Sequence, residues 1–289
     1  MLQPSRGIES LSSLIRSGDP SVRLCVEYEK PAPYPVSRSI AHETDVANKS
    51  PDLQHQFVRA RSVKPPGRSL TYLKNCIVLP NAAILTEGGS IIKESCFPYS
   101  DRKRILKMFN PWIVENEGEI FINTDGLEIV DKETLYVREH GEMGFFHWMH
   151  SVFPRVDVIE SQLLPSDCQV LIQRKAKFQI ESIALFDFQG RTIVTPPLDR
   201  PQFYKELIFP SALVEDGDFW LRPPSVKQFY SALPISVREQ PRRIYITRQD
   251  AGFRRLTNES AVLLSESKSD LIDFSQNSAD MSDHKPSFR

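Results

Sequence analysis

The run Gly144-Phe145-Phe146-His147-Trp148-Met149-His150-Ser151-Val152-Phe153-Pro154-Arg155 sets two imidazoles, a hydroxyl and a guanidinium inside a strongly apolar stretch. His147, Ser151 and Arg155 step by four and so share one face of a helix. That face can offer a titratable base, a hydroxyl and a fixed positive charge to one small ligand. Phe145, Trp148, Met149, Val152, Val156 and Ile159 recur at three- and four-residue steps, the stripe a helix buries. By themselves the same residues also read as a core histidine beside a helix-terminal arginine.

A second cluster lies further along. Arg242-Arg243-Ile244-Tyr245-Ile246-Thr247-Arg248 reads as a short β-branched strand ending in arginine, followed by Gly252-Phe253-Arg254-Arg255-Leu256-Thr257-Asn258-Glu259. Together with the His-Trp helix ending in Pro154-Arg155, these segments resemble glycosyltransferase family 61, the group once labelled a capsular polysaccharide biosynthesis domain. The resemblance runs from Leu79 to Leu264. Its forepart is Leu79-Pro80-Asn81, the Gly88-Gly89-Ser90 turn and Glu94-Ser95. Arg248, Arg254, Arg255, Asn258 and Glu259 stand where the family pattern wants them, whereas Gly144 stands where many members carry a polar residue.

The resemblance implies transfer of a sugar from a nucleotide-sugar donor to a glycan or polysaccharide hydroxyl, inverting, with no obligatory metal and no other cofactor. It also implies two Rossmann-like domains facing across a cleft, the GT-B type. Such a reaction builds negative charge on a departing diphosphate, which preorganised cations and helix N-termini stabilise. Arginine suits that role because its fork matches two phosphate oxygens. Arg248, Arg254 and Arg255 are the expected donor-binding cations. Thr257 or Asn258 could equally cap the following helix, and Glu259 suits its first turn or anchors one of the arginines. His147 is the expected base toward the acceptor hydroxyl, with Glu142 and Asp157 as competing carboxylates and His150 as a second contact. Arg155 is a further expected cation, unless it pairs with Asp157 or Glu160.

A metal centre finds little support. His147 and His150 lack a third ligand, and Asp216-Gly217-Asp218 reads more simply as a turn than as a metal-holding Asp-x-Asp pair. Neither Gly88-Gly89 nor Gly141-x-x-Gly144 has the spacing of a phosphate loop.

The elements that must position these residues follow from patterning. Residues 1–66, rich in proline, serine and charge, read as a loose arm, with an edge strand at Leu24–Tyr28. Residues 67–240 read as a β-rich prelude followed by an acceptor-side α/β domain. Alternation of strand and helix is expected from Glu142 onward, and parallel sheets bind ligands at the carboxyl ends of their strands. Residues 241–265 read as the start of the donor-binding domain and 266–289 as a disordered tail. A later His-Gly-Ala type segment, expected from the family, does not follow. A truncated, non-catalytic remnant that binds a glycan or partner is therefore the alternative expectation.

The chain has 289 residues, 40% hydrophobic and 25% charged, with a net charge of −1. No basic field for nucleic acid is present. Four widely spaced cysteines form no C-x-x-C pair, so neither a zinc ribbon nor a disulfide framework is expected. With no leader pattern and no apolar run of about 20 residues, a cytoplasmic protein with at most peripheral membrane association is expected.

Overall fold

The computed structural model describes residues 2–29, 67–96 and 101–211, together with the backbone of two short strand pairs at 34–35 with 62–63 and 214–215 with 218–219. All of these lie in the first of two compact units, residues 1–233; residues 234–289 form the second. Seventeen strands are present among the described residues. They are β1 Leu2–Ser5, β2 Gly7–Glu9, β3 Val22–Glu29, β4 Tyr34–Pro35, β5 Ser62–Val63, β6 Arg68–Val78, β7 Ile84–Leu85, β8 Ser90–Ile92, β9 Ile113–Asn116, β10 Glu119–Asn123, β11 Glu128–Val130, β12 Thr134–Val137, β13 Gln169–Ile172, β14 Ile193–Val194, β15 Gln202–Pro210, β16 Val214–Glu215 and β17 Asp218–Phe219. The α-helices are α1 Leu11–Ser17, α2 Arg102–Met108, the single turn α3 Phe145–His147 and α4 Lys177–Ala184.

One ten-stranded mixed sheet organises the unit, with strand order β14-β13-β12-β15-β6-β7-β8-β2 and with β3 on β6 and β11 on β15. From β14 to β15 the strands are parallel. From β15 through β6 and β7 to β8 the pairing is antiparallel, β15 facing β6 over eight register pairs from Gln202↔Val78 to Pro210↔Leu70, and β2 closes the sheet parallel to β8. The parallel half has the chain order third-second-first-fourth, so strand succession reverses between β12 and β15. Ligands of open α/β sheets bind outside the carboxyl ends of strands at such a reversal.

Side chains alternate across this sheet, as strand geometry requires. Leu135, Val137, Val170, Ile172 and Ile208 bury one face beneath Trp148, Val152, Phe153, Val156, Ile159 and Ile183. Tyr136, Leu171, Leu207 and Phe209 bury the other against Leu11 and Leu14 of α1 and against Ile84 and Ile92. Each such fully buried aliphatic or aromatic side chain contributes about 1.5–3 kcal/mol relative to exposure. A third cluster, including Ile105, Phe109, Ile113, Ile120 and Ile122, fills the space under the small β1-β10-β9 sheet.

Three expectations change. Residues 2–9, read from the sequence as part of a loose arm, are built into both sheets, β1 pairing with β10 and β2 with β8, while the expected edge strand at Leu24–Tyr28 is present as β3 on β6. Helix α1 is capped by Ser10, whose side chain accepts from Ser13, and ends at Gly18 in the left-handed conformation (φ 67°). The α/β alternation begins before Glu142, since β11 and β12 already lie parallel to β15. The prelude therefore contributes the central strand of the parallel half. Finally, the His-Trp segment is not one straight helix. After the α3 turn it widens into a π-helix over Trp148–Val152, with the Phe153 N–H reaching back to the Trp148 carbonyl, then tightens into a 3-10 stretch over Phe153–Ser161. Pro154 has no N–H to continue an α-helical ladder, which accounts for the change of winding at that point. The cysteines are free, with Cys76, Cys96 and Cys168 buried and Cys25 exposed. Burial pushes the Cys96 thiol up to about 12 and the Cys76 thiol further, as expected for inert core cysteines.

Candidate active site

The chain leaves β12 at Val137 and folds into a turn in which the Glu142 N–H donates to the Glu139 carbonyl at 3.0 Å. The contacts of Tyr136, Arg138, His140 and Glu142 lie on one side, the even side, and those of Glu139 and Gly141 on the other, the odd side. On the even side lies the turn that follows β6. The Tyr136 hydroxyl donates to the Ala82 carbonyl. The Arg138 guanidinium donates to the carbonyls of Leu79 at 3.5 Å and Pro80 at 2.8 Å, and to the Glu142 carboxylate at 2.7 Å. His140 is tied to the Asn81 backbone and stacks at a tilt on Phe109, with ring centroids 4.7 Å apart. Four successive residues, 79–82, are thus held by three side chains from one strand end. Arg138 is 2% and Glu142 4% exposed. Burial pulls the guanidinium pKa down, but the charge and hydrogen bonds of Glu142, with Tyr136 and Tyr204, outweigh it and hold Arg138 above its ordinary value.

On the odd side lies the His-Trp segment. Glu139, with its side chain 1% exposed, presents one carboxylate oxygen to Arg155 Nη2 at 3.3 Å and the other to His147 Nδ1 at 3.4 Å. Arg155, also almost wholly enclosed, donates through Nη1 to the Arg138 carbonyl at 2.8 Å, while its Nε has no hydrogen-bond partner among the described residues. His147 keeps 30% of its side chain exposed. Gly141 lies flat against its ring: a β-carbon added there would come within 2.6 Å of His147 Cγ. Only glycine permits so close an approach.

The segment is anchored from behind. Trp148 Nε1 donates to Ser182 Oγ at 2.7 Å. Gln179 donates to the Glu142 carbonyl at 2.8 Å and accepts from Lys175 and Ala176 N–H at the start of α4. In front, Met143, Phe145 and Phe146 are 47%, 61% and 50% exposed and form an apolar apron beside His147. Phe146 stacks on His150 with centroids 4.2 Å apart. Burial, and then the charge of His147, lower the His150 pKa; burial lowers that of His140 against the opposing bond to Asn81.

Of the sequence-predicted residues, His147 and Arg155 meet on one carboxylate at the carboxyl end of β12. Arg155 is committed to Glu139 and the Arg138 carbonyl, and neither of its expected alternatives, Asp157 or Glu160, is that partner. Asp157 instead pairs with Arg68, which also reaches Glu29 and lies over the Tyr28 ring. Ser151 does not join the face shared by His147 and Arg155. It is fully buried and its hydroxyl has no hydrogen-bond partner among the described residues. Phe145 leaves the buried stripe, packing edge-on to Phe178. Glu142, named as a competing base, is occupied by Arg138. Arg248, Arg254, Arg255, Asn258 and Glu259 lie outside the described residues, as does Asp216. The backbone pairs Asp218 with Glu215 across β16 and β17.

Sequence reasoning missed Glu139 and Gly141. The available signal was a charged residue just past a buried four-residue strand, where parallel sheets place their ligand-facing groups. Among the described residues no group of three or more His, Cys, Asp or Glu side chains could hold a metal ion, and no helix is long and apolar enough to cross a membrane. Comparison with family models, with curated proteins and with solved structures returned no match.

Proposed function

We propose that this protein is a glycosyltransferase of the family 61 kind, moving a sugar from a nucleotide-sugar donor to a glycan or polysaccharide hydroxyl, inverting and without an obligatory metal. The observation that carries this reading is the meeting of His147 and Arg155 on Glu139, outside the carboxyl end of β12, at the strand-order reversal of a parallel sheet. In this reading the described unit is the acceptor-side half of a GT-B architecture. His147 takes the acceptor proton, being partly exposed where Glu142 is not. Arg155 acts through Glu139. Arg248, Arg254 and Arg255, with Asn258 and Glu259, hold the donor diphosphate. The apron of Met143, Phe145 and Phe146 gives an acceptor sugar an apolar face to lie on. The activity belongs to a cytoplasmic protein, attached at most peripherally to a membrane.

Calorimetry of the full chain with a panel of nucleotide sugars, with and without manganese, tests this. Donor binding without metal, weakened by Arg248→Lys, is the expected result. Binding only with manganese would overturn metal independence and return attention to Asp216 and Asp218. Absence of any donor binding, with glycan binding retained, would favour the non-catalytic glycan- or partner-binding module.

A further inference from the structure

We propose that Glu139 and His147 form a proton-accepting dyad, in which the buried carboxylate holds the imidazole with its proton on Nδ1 and leaves Nε2 as the base. Three observations converge. Glu139 Oε1 is buried, makes no hydrogen bond among the described residues, and has His147 Nδ1 as its ion-pair neighbour at 3.4 Å. Oε2 is fixed by Arg155, which is itself fixed by the Arg138 carbonyl at 2.8 Å, so the carboxylate cannot swing away. Gly141 closes the Cβ–Cγ–Cδ2 side of the ring, and Nδ1 itself is buried. The side chain still keeps 30% of its surface exposed, so the solvent-facing part of the ring is not Nδ1.

The tautomer follows from charge. An ionised carboxylate is an acceptor only, so the nitrogen facing it is the one that carries the proton. The other ring nitrogen then presents a lone pair. The charged and titratable neighbours among the described residues are compatible with this. Glu142 is taken up by Arg138, and Arg155 is engaged by Glu139. Burial disfavours charge on His140 and His150.

The dyad rests on the transferase reading only for its electrophile. In that reaction the acceptor O–H bond breaks and its proton goes to His147 Nε2. The freed oxygen bonds to the anomeric carbon of the donor. The bond from that carbon to phosphate breaks, and its electron pair leaves with the nucleoside diphosphate. The imidazolium that forms is balanced by Glu139 until the proton passes to water. Glu139 is thus a positioning residue and His147 the group that touches substrate.

The test is side-chain NMR of the full chain with 15N-labelled histidine, His147 being assigned by its loss in His147→Gln. At neutral pH the wild-type long-range 1H–15N pattern should be that of an Nδ1–H imidazole. In Glu139→Gln, whose amide can donate as well as accept, the pattern should move toward a mixture of tautomers. Glu139→Asp, which keeps the charge Arg155 needs, should retain more of the Nδ1–H form than the Gln variant. An Nε2–H pattern in the wild type overturns the dyad, whether or not any variant folds. An unchanged pattern in a folded Glu139→Gln overturns the role of Glu139. Because no donor or acceptor is needed, a failed donor-binding experiment leaves this result standing, and the two inferences fail separately.

Discussion

Arg138 and Glu139 are neighbours in sequence and lie on opposite sides of one sheet edge. Each side holds a buried arginine–carboxylate pair, Arg138 with Glu142 and Arg155 with Glu139, but the two pairs differ in closure. The Arg138 fork is filled by Glu142 and by two backbone carbonyls, and the turn it grips is packed into the core. The Glu139 carboxylate is held on one oxygen only; its other oxygen faces an imidazole that reaches solvent. Removing one member of a buried pair costs more than the pair gains in forming, because the remaining charge is left without compensation. The closed pair is thus arranged to hold shape and the open pair to pass a polar influence outward.

Two substitutions measure that contrast most directly. Arg138→Met should destabilise by about 3–5 kcal/mol in chemical denaturation, since it strands Glu142 and removes the donor to Leu79 and Pro80. Glu139→Gln should cost less, about 3 kcal/mol, because it leaves the Arg155 charge uncompensated but the amide oxygen can still accept from Arg155 and Arg155 keeps the Arg138 carbonyl. Equal losses in the two variants would mean that both sides are simply structural.

Gly141→Ala comes next in size and acts on the open side alone. Its β-carbon cannot sit 2.6 Å from His147 Cγ, so the ring must move. Overpacking of this kind costs about 1–3 kcal/mol. The coupling is the sharper readout. In a His147→Ala background the same Gly141→Ala change should become close to neutral, and a double-mutant cycle that shows no coupling would place the strain elsewhere.

Much of this arrangement was legible in the sequence, unevenly and for physical reasons. The strands at 134–137 and 169–172 are legible as short apolar runs between turn residues, which have few other uses. The His-Trp helix was misjudged because burial is continuous from Ser151 to Ile159, so periodicity carries no face there. Only Pro154 hinted at a change in winding. The four-residue step puts His147 and Arg155 on one helix face, yet they come together on a residue from another element. Glu139 could not be paired with them until the sheet order was known. Strands β1 and β2 are not legible in the sequence because short strands that complete someone else's sheet carry little periodicity of their own, whereas the longer β3 is legible.

Acidification should weaken both sides, the closed one more. His140 and His150 are held neutral by burial, so their folded-state pKa values lie below the ordinary ~6.5 that they regain on unfolding. Unfolded chains then bind protons that the fold does not, and stability that is complete above about pH 6.5 falls as the pH drops below it. Thermal unfolding followed from pH 7.5 down to pH 5.5 should show a declining midpoint. His140→Gln, on the closed side, should flatten the decline more than His150→Gln, because His140 is the more enclosed ring. A steeper decline in either variant would reverse the assigned sign.

The smallest expected effect tests whether the closed side stores strain. Ala82 has φ 78°, a left-handed conformation that glycine adopts freely and other residues rarely do. It is held there by the Tyr136 hydroxyl on its carbonyl, while Arg138 holds the two residues at the start of the turn. Ala82→Gly should relieve about 1 kcal/mol of left-handed strain. Against that stand about 0.5–1 kcal/mol of added unfolded-chain freedom and about 0.8 kcal/mol for the lost burial of one methyl group. The expected net change in denaturation is therefore a loss within about 1 kcal/mol. Ala82→Val should lose clearly more, since β-branching makes the left-handed region worse. A stabilisation by glycine of more than about 1 kcal/mol would show that the grip of Tyr136 and Arg138 imposes the conformation on a turn that would otherwise relax. A valine that is tolerated as well as glycine would show the reverse, that the turn is loose and the closed side is less closed than its hydrogen bonds indicate.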